Sequence, residues 1–296
     1  MSLTSGDAIS SKIMLYSGPG AGPFCVQALE NQLKDIADDR YHAISSCKNL
    51  LSLGNPQEVK AIVVPGGHAM DIYANSGVLG CEEEFKGILD QHKISYYGAC
   101  AGAILASSGL HFGVPGSDRG FLSRETKFLG LFPGKTMGPL FQKSLGKEIS
   151  LSDFNRRKIK SSHPGLDQPM VSAHILGPAF LNATSFFGTE VLSTYEELPS
   201  FTLGPIVNNV YTASRRVLTS ELSESICHKR PGGASILLTG SHPEFDSAIA
   251  RSEGFRQGFN ITKEQQQDVV ATMEVDDASR KILLKRNFEK IGIRCK

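Results

Sequence analysis

Cys100 lies in Tyr97-Gly98-Ala99-Cys100-Ala101-Gly102, directly after the apolar run Ile94-Ser95-Tyr96-Tyr97. The run reads as a strand, Gly98-x-Cys100-x-Gly102 as a tight turn, and Ala103-Ile104-Leu105-Ala106 as the start of a helix. This is a nucleophile elbow with cysteine where serine is usual. Side chains flanking such a turn would clash, and glycine on both sides removes the clash. The thiol would sit at a helix N-terminus, whose positive end favours a thiolate. A second segment, Gly240-Ser241-His242-Pro243-Glu244, offers the rest of a triad. Histidine and glutamate two apart on extended chain point to one side and meet. Cys100 would then attack a carbonyl, His242 would act as base and later as acid, and Glu244 would orient the imidazole. The backbone N–H groups of Ala101 and Gly67 would hold the oxyanion. The other five cysteines, Cys25, Cys47, Cys81, Cys227 and Cys295, lack such flanks and read as small buried hydrophobes or incidental surface thiols.

These residues need a scaffold, and the first 110 residues alternate as a parallel α/β sheet does. Strands are expected at 12–17, 41–45, 61–64 and 94–97, with helices at 24–37 and 78–91. Ala61-Ile62-Val63-Val64 is β-branched and fully apolar, as in a strand buried on both faces. Ligands of such sheets collect at the carboxyl ends of the strands. Three turns therefore point the same way: 17–23, 65–68 and 98–102. Gly18-Pro19-Gly20 lacks the lysine and the spacing of a nucleotide loop. From 119 to 220, short apolar segments broken by glycine and proline suggest antiparallel strands and loops. Arg156-Arg157-Lys158-Ile159-Lys160 reads as a solvated edge. Ser235-Ile236-Leu237-Leu238-Thr239 returns as a buried strand that delivers His242, and helices at 262–274 and 277–293 are expected to pack on the domain.

Composition limits the partners. The 296 residues carry 31 basic and 30 acidic side chains, a formal net charge of +1. No basic field attracts nucleic acid. The uncharged stretch 94–117 is interrupted by glycines, serines and Pro115, so it does not read as a membrane span. Six cysteines without a CxxC pair suggest neither a metal site nor a disulfide framework, and a reducing, cytoplasmic location fits. The first six residues are not a signal peptide. No cofactor is expected.

Five motifs occur in order: Tyr16-Ser17-Gly18-Pro19-Gly20; Val64-Pro65-Gly66-Gly67, followed by Asp71 and Tyr73; Gly98 to Ala103; Phe132-Pro133-Gly134; and Gly240 to Phe245. Together they resemble the N-terminal, amidotransferase-like domain of eukaryotic biotin–protein ligases and its stand-alone relatives. These belong to the class I glutamine amidotransferase superfamily. The resemblance covers about residues 12–246. It implies a flavodoxin-like three-layer α/β sandwich with a mostly parallel central sheet, added antiparallel strands and C-terminal helices. It divides the chain into residues 1–11, disordered or tag-derived, a domain at 12–250 with an insertion or extension at 119–220, and a helical extension at 251–296. Gly18, Gly20, Gly66, His68, Asp71 and Tyr73 become substrate-side candidates, although Asp71 and Tyr73 serve equally as helix-capping residues. The substrate would be a small molecule, and a homodimer or a partner enzyme is compatible.

Two departures shape the expectation. Glutaminases of the superfamily commonly carry glutamine two residues past the second elbow glycine. Ile104 stands there, and it offers no hydrogen bonds to a glutamine substrate. No Gly-Arg-Gly-Arg adenylate loop occurs, so biotin transfer by this chain alone is not expected. The expected activity is cysteine-dependent hydrolysis or amidotransferase-like chemistry on an amide, ester or related carbonyl, with aldehydes or covalent adducts as related substrates. The alternative is a non-catalytic ligand-binding or regulatory module. Redox sensing by Cys100 is a weaker reading, because no resolving cysteine is close in sequence. Cys25, however, follows another of the converging turns.

Overall fold

A computed structural model of the chain describes residues 13–46, 56–113, 121–124, 128–140, 154–196, 198, 201–203 and 215–296. Residues 1–12, Cys47 and the Pro115 turn lie outside these. The first half carries β1 (Ile13–Tyr16), α1 (Pro23–Ile36), β2 (Tyr41–Ile44), β3 (Ala61–Val64), α2 (Ala69–Asn75), α3 (Glu82–His92), β4 (Ser95–Ala99) and α4 (Ala101–Ala106). Then come β5 (Gly109–Gly113), β6 (Phe121–Arg124), β7 (Lys135–Gly138), β8 (Phe154–Ser161), β9 (Met170–Ile175), β10 (Ala179–Leu181), β11 (Thr189–Tyr195) and β12 (Phe201–Leu203). The remaining strands are β13 (Arg215–Val217), β14 (Leu222–Ser223), β15 (Ser225–Lys229) and β16 (Ser235–Thr239). Four helices close the chain: α5 (Ser247–Ala250), α6 (Glu253–Gly258), α7 (Lys263–Glu274) and α8 (Asp277–Lys290).

The central sheet has nine strands in the order β2-β1-β3-β4-β16-β15-β11-β8-β9. Its first five strands are mutually parallel, and β15, β11, β8 and β9 extend it by antiparallel pairing. A second sheet of seven strands runs β13-β12-β6-β5-β7-β10-β14. Alternation along the parallel strands divides the core between the two faces of the central sheet. Ile13, Leu15, Ala61, Val63, Tyr97 and Leu237 pack with Leu29 and Leu33 of α1 and with Leu284 and Phe288 of α8. Met14, Tyr16, Ile62, Val64, Tyr96 and Leu238 pack with Ile72 of α2, Phe85 and Leu89 of α3, and Leu105 of α4. The result is the expected three-layer α/β sandwich, with its added antiparallel strands and C-terminal helices.

Two elements differ from the sequence reading. Arg156 to Lys160 lies in β8, which pairs with β9 on one side and β11 on the other, so it is not an edge. Ile159 is buried, whereas Arg156, Lys158 and Lys160 are exposed. The charge run therefore marks the solvent face of an internal strand, and β9 is the edge. The helix expected from Val78 begins only at Glu82, because Gly77 and Gly80 take positive φ (79° and 80°) and the intervening residues form a turn. Its three leading glutamates then meet the N-terminal dipole.

Candidate active site

The parallel strands deliver their turns to one place. Cys100 N–H donates to Thr239 O at 2.9 Å, Gly102 N–H to Pro65 O at 3.2 Å, Gly22 N–H to Gly66 O at 2.8 Å, and His68 N–H to Gly20 O at 2.8 Å. These four bonds stitch the ends of β1, β3, β4 and β16 into one floor. Cys100 is the N-cap of α4 and holds φ 51°, ψ −106°, the strained backbone of an elbow. The flanking glycines are required by close backbone approach. A Cβ on Gly98 would stand 2.6 Å from Gly102 O, and one on Gly102 would overlap Val64 O.

His242 Nδ1 and Glu244 Oε1 are 2.8 Å apart, and both side chains are buried. The other side of the ring meets sulfur. Cys25, the third residue of α1, lies beside the ring: its Sγ and His242 Nε2 stand 3.0 and 3.2 Å from the same point above Gly66. Burial alone would pull the imidazole pKa down. The Glu244 carboxylate and the neighbouring Cys25 and Cys100 thiols outweigh it and hold His242 well above the usual 6.5. Cys25 is pushed up by burial, which outweighs the opposing pull of His242. Exposure is 5 % for Cys100, 9 % for Cys25, 1 % for His242 and zero for Glu244. Among the described residues no group of three or more His, Cys, Asp or Glu side chains is arranged to hold a metal ion.

The cover over this floor comes from β9. Cys100 Sγ donates to Ile175 O at 3.3 Å, and His242 N–H donates to Ala173 O at 2.7 Å. Gly177 and Gly240 permit the close pass, since a Cβ on Gly177 would overlap Gly240 O and one on Gly240 would overlap Pro178 O. His174 on β9 is fully buried, and its pKa lies well below 6.5 through burial and the nearby His242 charge.

A buried carboxylate fixes the approach to His242. Glu224 crosses from β14 of the second sheet to β15 of the first. Its Oε1 accepts from Thr239 Oγ1 at 2.6 Å, Ser241 N–H at 2.9 Å and Ser241 Oγ at 2.6 Å, and its Oε2 accepts from Ser193 Oγ. Its carbonyl accepts from Gly240 N–H at 2.8 Å.

The substrate-side candidates occupy different settings. Gly66 lies against the imidazole: an added Cβ would overlap His242 Cε1 and stand 3.0 Å from Cys25 Sγ. Gly67 takes φ 152° beside Gly20 and Gly22, and Gly20 takes φ 87°. Gly18 packs on Ser45 O and the Tyr16 ring. His68 and Asp71 are exposed and pair at 3.0 Å. Tyr73 is buried against Phe128, its hydroxyl donated to Glu82 on α3, so its polar end is engaged in helix packing. Ile104 is partly buried against the core.

The sequence singles out neither Glu224 nor the β9 segment, and it marks Cys25 only as a thiol that follows the Gly18–Pro23 turn and bears on the weaker redox reading. Glu224 and β9 reach the site through pairings that no local pattern announces.

The family model described as "Biotin-protein ligase, N terminal" matches residues 11–296. The chain belongs to this family. A curated relative is a biotin–protein ligase of Schizosaccharomyces pombe (strain 972 / ATCC 24843), 24% identical over 241 residues. That match covers 79% of this chain and 33% of the relative, so the chain spans about a third of the relative's length. Among solved structures, a glutamine amidotransferase from Thermotoga maritima aligns with TM-score 0.50 at 10% identity, covering 94% of this chain and 96% of that one. A second glutamine amidotransferase structure aligns with TM-score 0.49 at 17% identity, over 86% of this chain and 99% of that one. The likeness to the Thermotoga structure is one of fold: the biotin-protein ligase N-terminal family member described here shares the amidotransferase-like, flavodoxin-like scaffold.

Proposed function

We propose that the chain is a cysteine-dependent hydrolase or amidotransferase-like enzyme acting on an amide or related carbonyl through Cys100, His242 and Glu244. The observation that carries this reading is the buried Glu244–His242 pair, 2.8 Å apart, delivered by β16 to the side of the elbow whose Cys100 N–H is bound to Thr239 O. The Cys100 thiolate adds to the carbonyl carbon, and the carbonyl electron pair moves to oxygen. The N–H groups of Gly67 and Ala101 receive that oxyanion; Ala101 is the first residue of α4, where an N–H has no intrahelical acceptor. His242, held as the imidazolium, protonates the leaving amine or alkoxide, leaving a thioester. Water then adds as His242 takes its proton, and the acid departs with the thiolate restored. Gly20, Gly66 and His68 border the turns where the substrate would lie. Glutamine is disfavoured by Ile104, and biotin transfer is not proposed for this chain. A small-molecule substrate and a reducing, cytoplasmic setting fit the composition. No helix among the described residues is long and apolar enough to cross a membrane.

One observation favours a second reading, a non-catalytic ligand-binding or regulatory module. The Cys100 thiol is already donated to Ile175 O beneath the β9 cover. One experiment separates the two. The rate of Cys100 alkylation by iodoacetamide is followed from pH 5 to 9 by peptide mass spectrometry, in the native protein and in His242→Ala. The hydrolase reading expects brisk labelling at pH 6 that is lost in the variant. Equal, slow labelling in both proteins removes it and leaves the binding module, to be pursued by ligand-induced thermal shift.

A further inference from the structure

The acyl chemistry uses one thiol, yet a second lies beside the imidazole. Cys25 lies on the first turn of α1, a helix of 14 residues, and its sulfur is wedged between two backbone turns. A Cβ on Gly22 would stand 3.2 Å from Cys25 Sγ and one on Gly66 would stand 3.0 Å from it, with His242 Nε2 3.2 Å from that same Gly66 position. Cys25 packs in one cluster with Ala173 and Ile175, and Cys100 Sγ reaches Ile175 O at 3.3 Å, so two free thiols from different elements come to the same stretch of β9 beside His242. Neither flank of Cys25 resembles an elbow, and no step of thioester formation or hydrolysis requires it. A serine or alanine would fill the same space beside Gly66.

We propose that Cys25 is the resolving partner of Cys100, and that peroxide converts the pair to a Cys25–Cys100 disulfide which reversibly closes the site. The Cys100 thiolate attacks one oxygen of hydrogen peroxide, the O–O bond breaks, and Cys100 becomes a sulfenic acid as hydroxide leaves. Cys25 sulfur then attacks the Cys100 sulfur. Its proton passes through His242 to the departing hydroxide, which leaves as water. Overall two thiols lose two electrons and two protons, and one peroxide becomes two waters. The inference rests on the Cys100–His242 dyad, and its purpose is protection. A lone sulfenic acid in this buried site would go on to sulfinic acid, which ordinary thiols do not reduce.

The test treats the full chain with hydrogen peroxide and maps its peptides without reduction. A linked Cys25–Cys100 peptide is expected, released by dithiothreitol, with iodoacetamide labelling of Cys100 lost on oxidation and regained on reduction. In Cys25→Ser the linked peptide is absent, dimedone traps a sulfenic acid at Cys100, and prolonged peroxide gives a loss of labelling that reduction does not restore. Dimedone capture at Cys100 to the same extent in both proteins, with no linked peptide, overturns the inference. The two readings fail separately. Fast labelling of untreated Cys100 at pH 6 without a linked peptide removes the resolving role and keeps the dyad. A linked peptide with slow labelling keeps the thiol pair and removes the hydrolase reading.

Discussion

At the scale of single residues, the site depends on atoms that are missing. Gly66 does not take a positive φ, so its backbone would accept alanine. The obstacle is the imidazole, because the new methyl would overlap His242 Cε1. Gly66→Ala is therefore expected to push His242 off its line between Glu244 and the thiols. Cys100 alkylation at pH 6 should fall toward the His242→Ala level, while thermal stability changes by no more than about 1–3 kcal/mol, the usual cost of overpacking. Native labelling in this variant would show that the ring moves aside without losing Cys100. The elbow and the His-x-Glu segment were legible in the sequence, because glycine flanks and a two-residue spacing are local constraints. Glu224 was not, since its partners Ser193 and Ser241 lie 31 and 17 residues away and are ordinary serines until the two sheets meet. Cys25 was legible only as the residue after a turn; its contact with His242 spans most of the chain.

At the scale of elements, the parallel half could be read from its apolar runs. Strands β3 and β16 fall where their sequences put them, because a strand buried on both faces has no polar interruption to blur its ends. The antiparallel half could not be read in that way. Its order depends on which strand pairs with which, and β8 carries charges on an internal strand because only one of its faces is buried. The C-terminal helices have a tie to the site that periodicity does not reveal. Arg280 of α8 is buried and donates through Nε to Phe245 O at 3.1 Å, through Nη1 to Val171 O at 2.6 Å, and through Nη2 to Met273 O and to Asp277. One guanidinium thus joins the residue after Glu244, the start of the β9 cover and the end of α7. Arg280→Met keeps much of the apolar stem and leaves three carbonyls short of a donor. The expected loss is about 2–4 kcal/mol in urea unfolding. Amide exchange should quicken on β9 before it does on β1 or β3. A uniform rise in exchange across the central sheet would mean that Arg280 supports the whole domain and not the cover.

At the scale of the whole molecule, the last residues are bound back to the first helix. Lys296 N–H donates to Ile36 O at 2.9 Å, and Asp38 N–H donates to Arg294 O at 2.9 Å. The charged centre of this closure is Asp39. Its carboxylate is buried and accepts from Arg294 N–H at 3.0 Å, from the Arg294 guanidinium at 3.1 Å and from Lys60 Nζ at 3.2 Å. Burial alone would raise the Asp39 pKa, but the Arg294 backbone donor and the two cations outweigh it and hold the group below its ordinary 3.8. In the unfolded chain the same carboxyl titrates near its usual value of about 3.9. The folded state therefore binds fewer protons in this window, and Asp39 contributes stability that is fully present above about pH 4. That contribution is lost as the pH falls through the folded pKa. Asp39→Asn keeps the shape and one acceptor but removes the charge, so it should cost about 1–3 kcal/mol at pH 7. The difference between variant and native protein should then shrink as both are unfolded at successively lower pH and vanish once native Asp39 is protonated. Urea titrations at pH 7, 5, 4 and 3 read this directly. A difference that does not change with pH would assign the loss to packing of the asparagine amide and not to the carboxylate that closes the chain on itself.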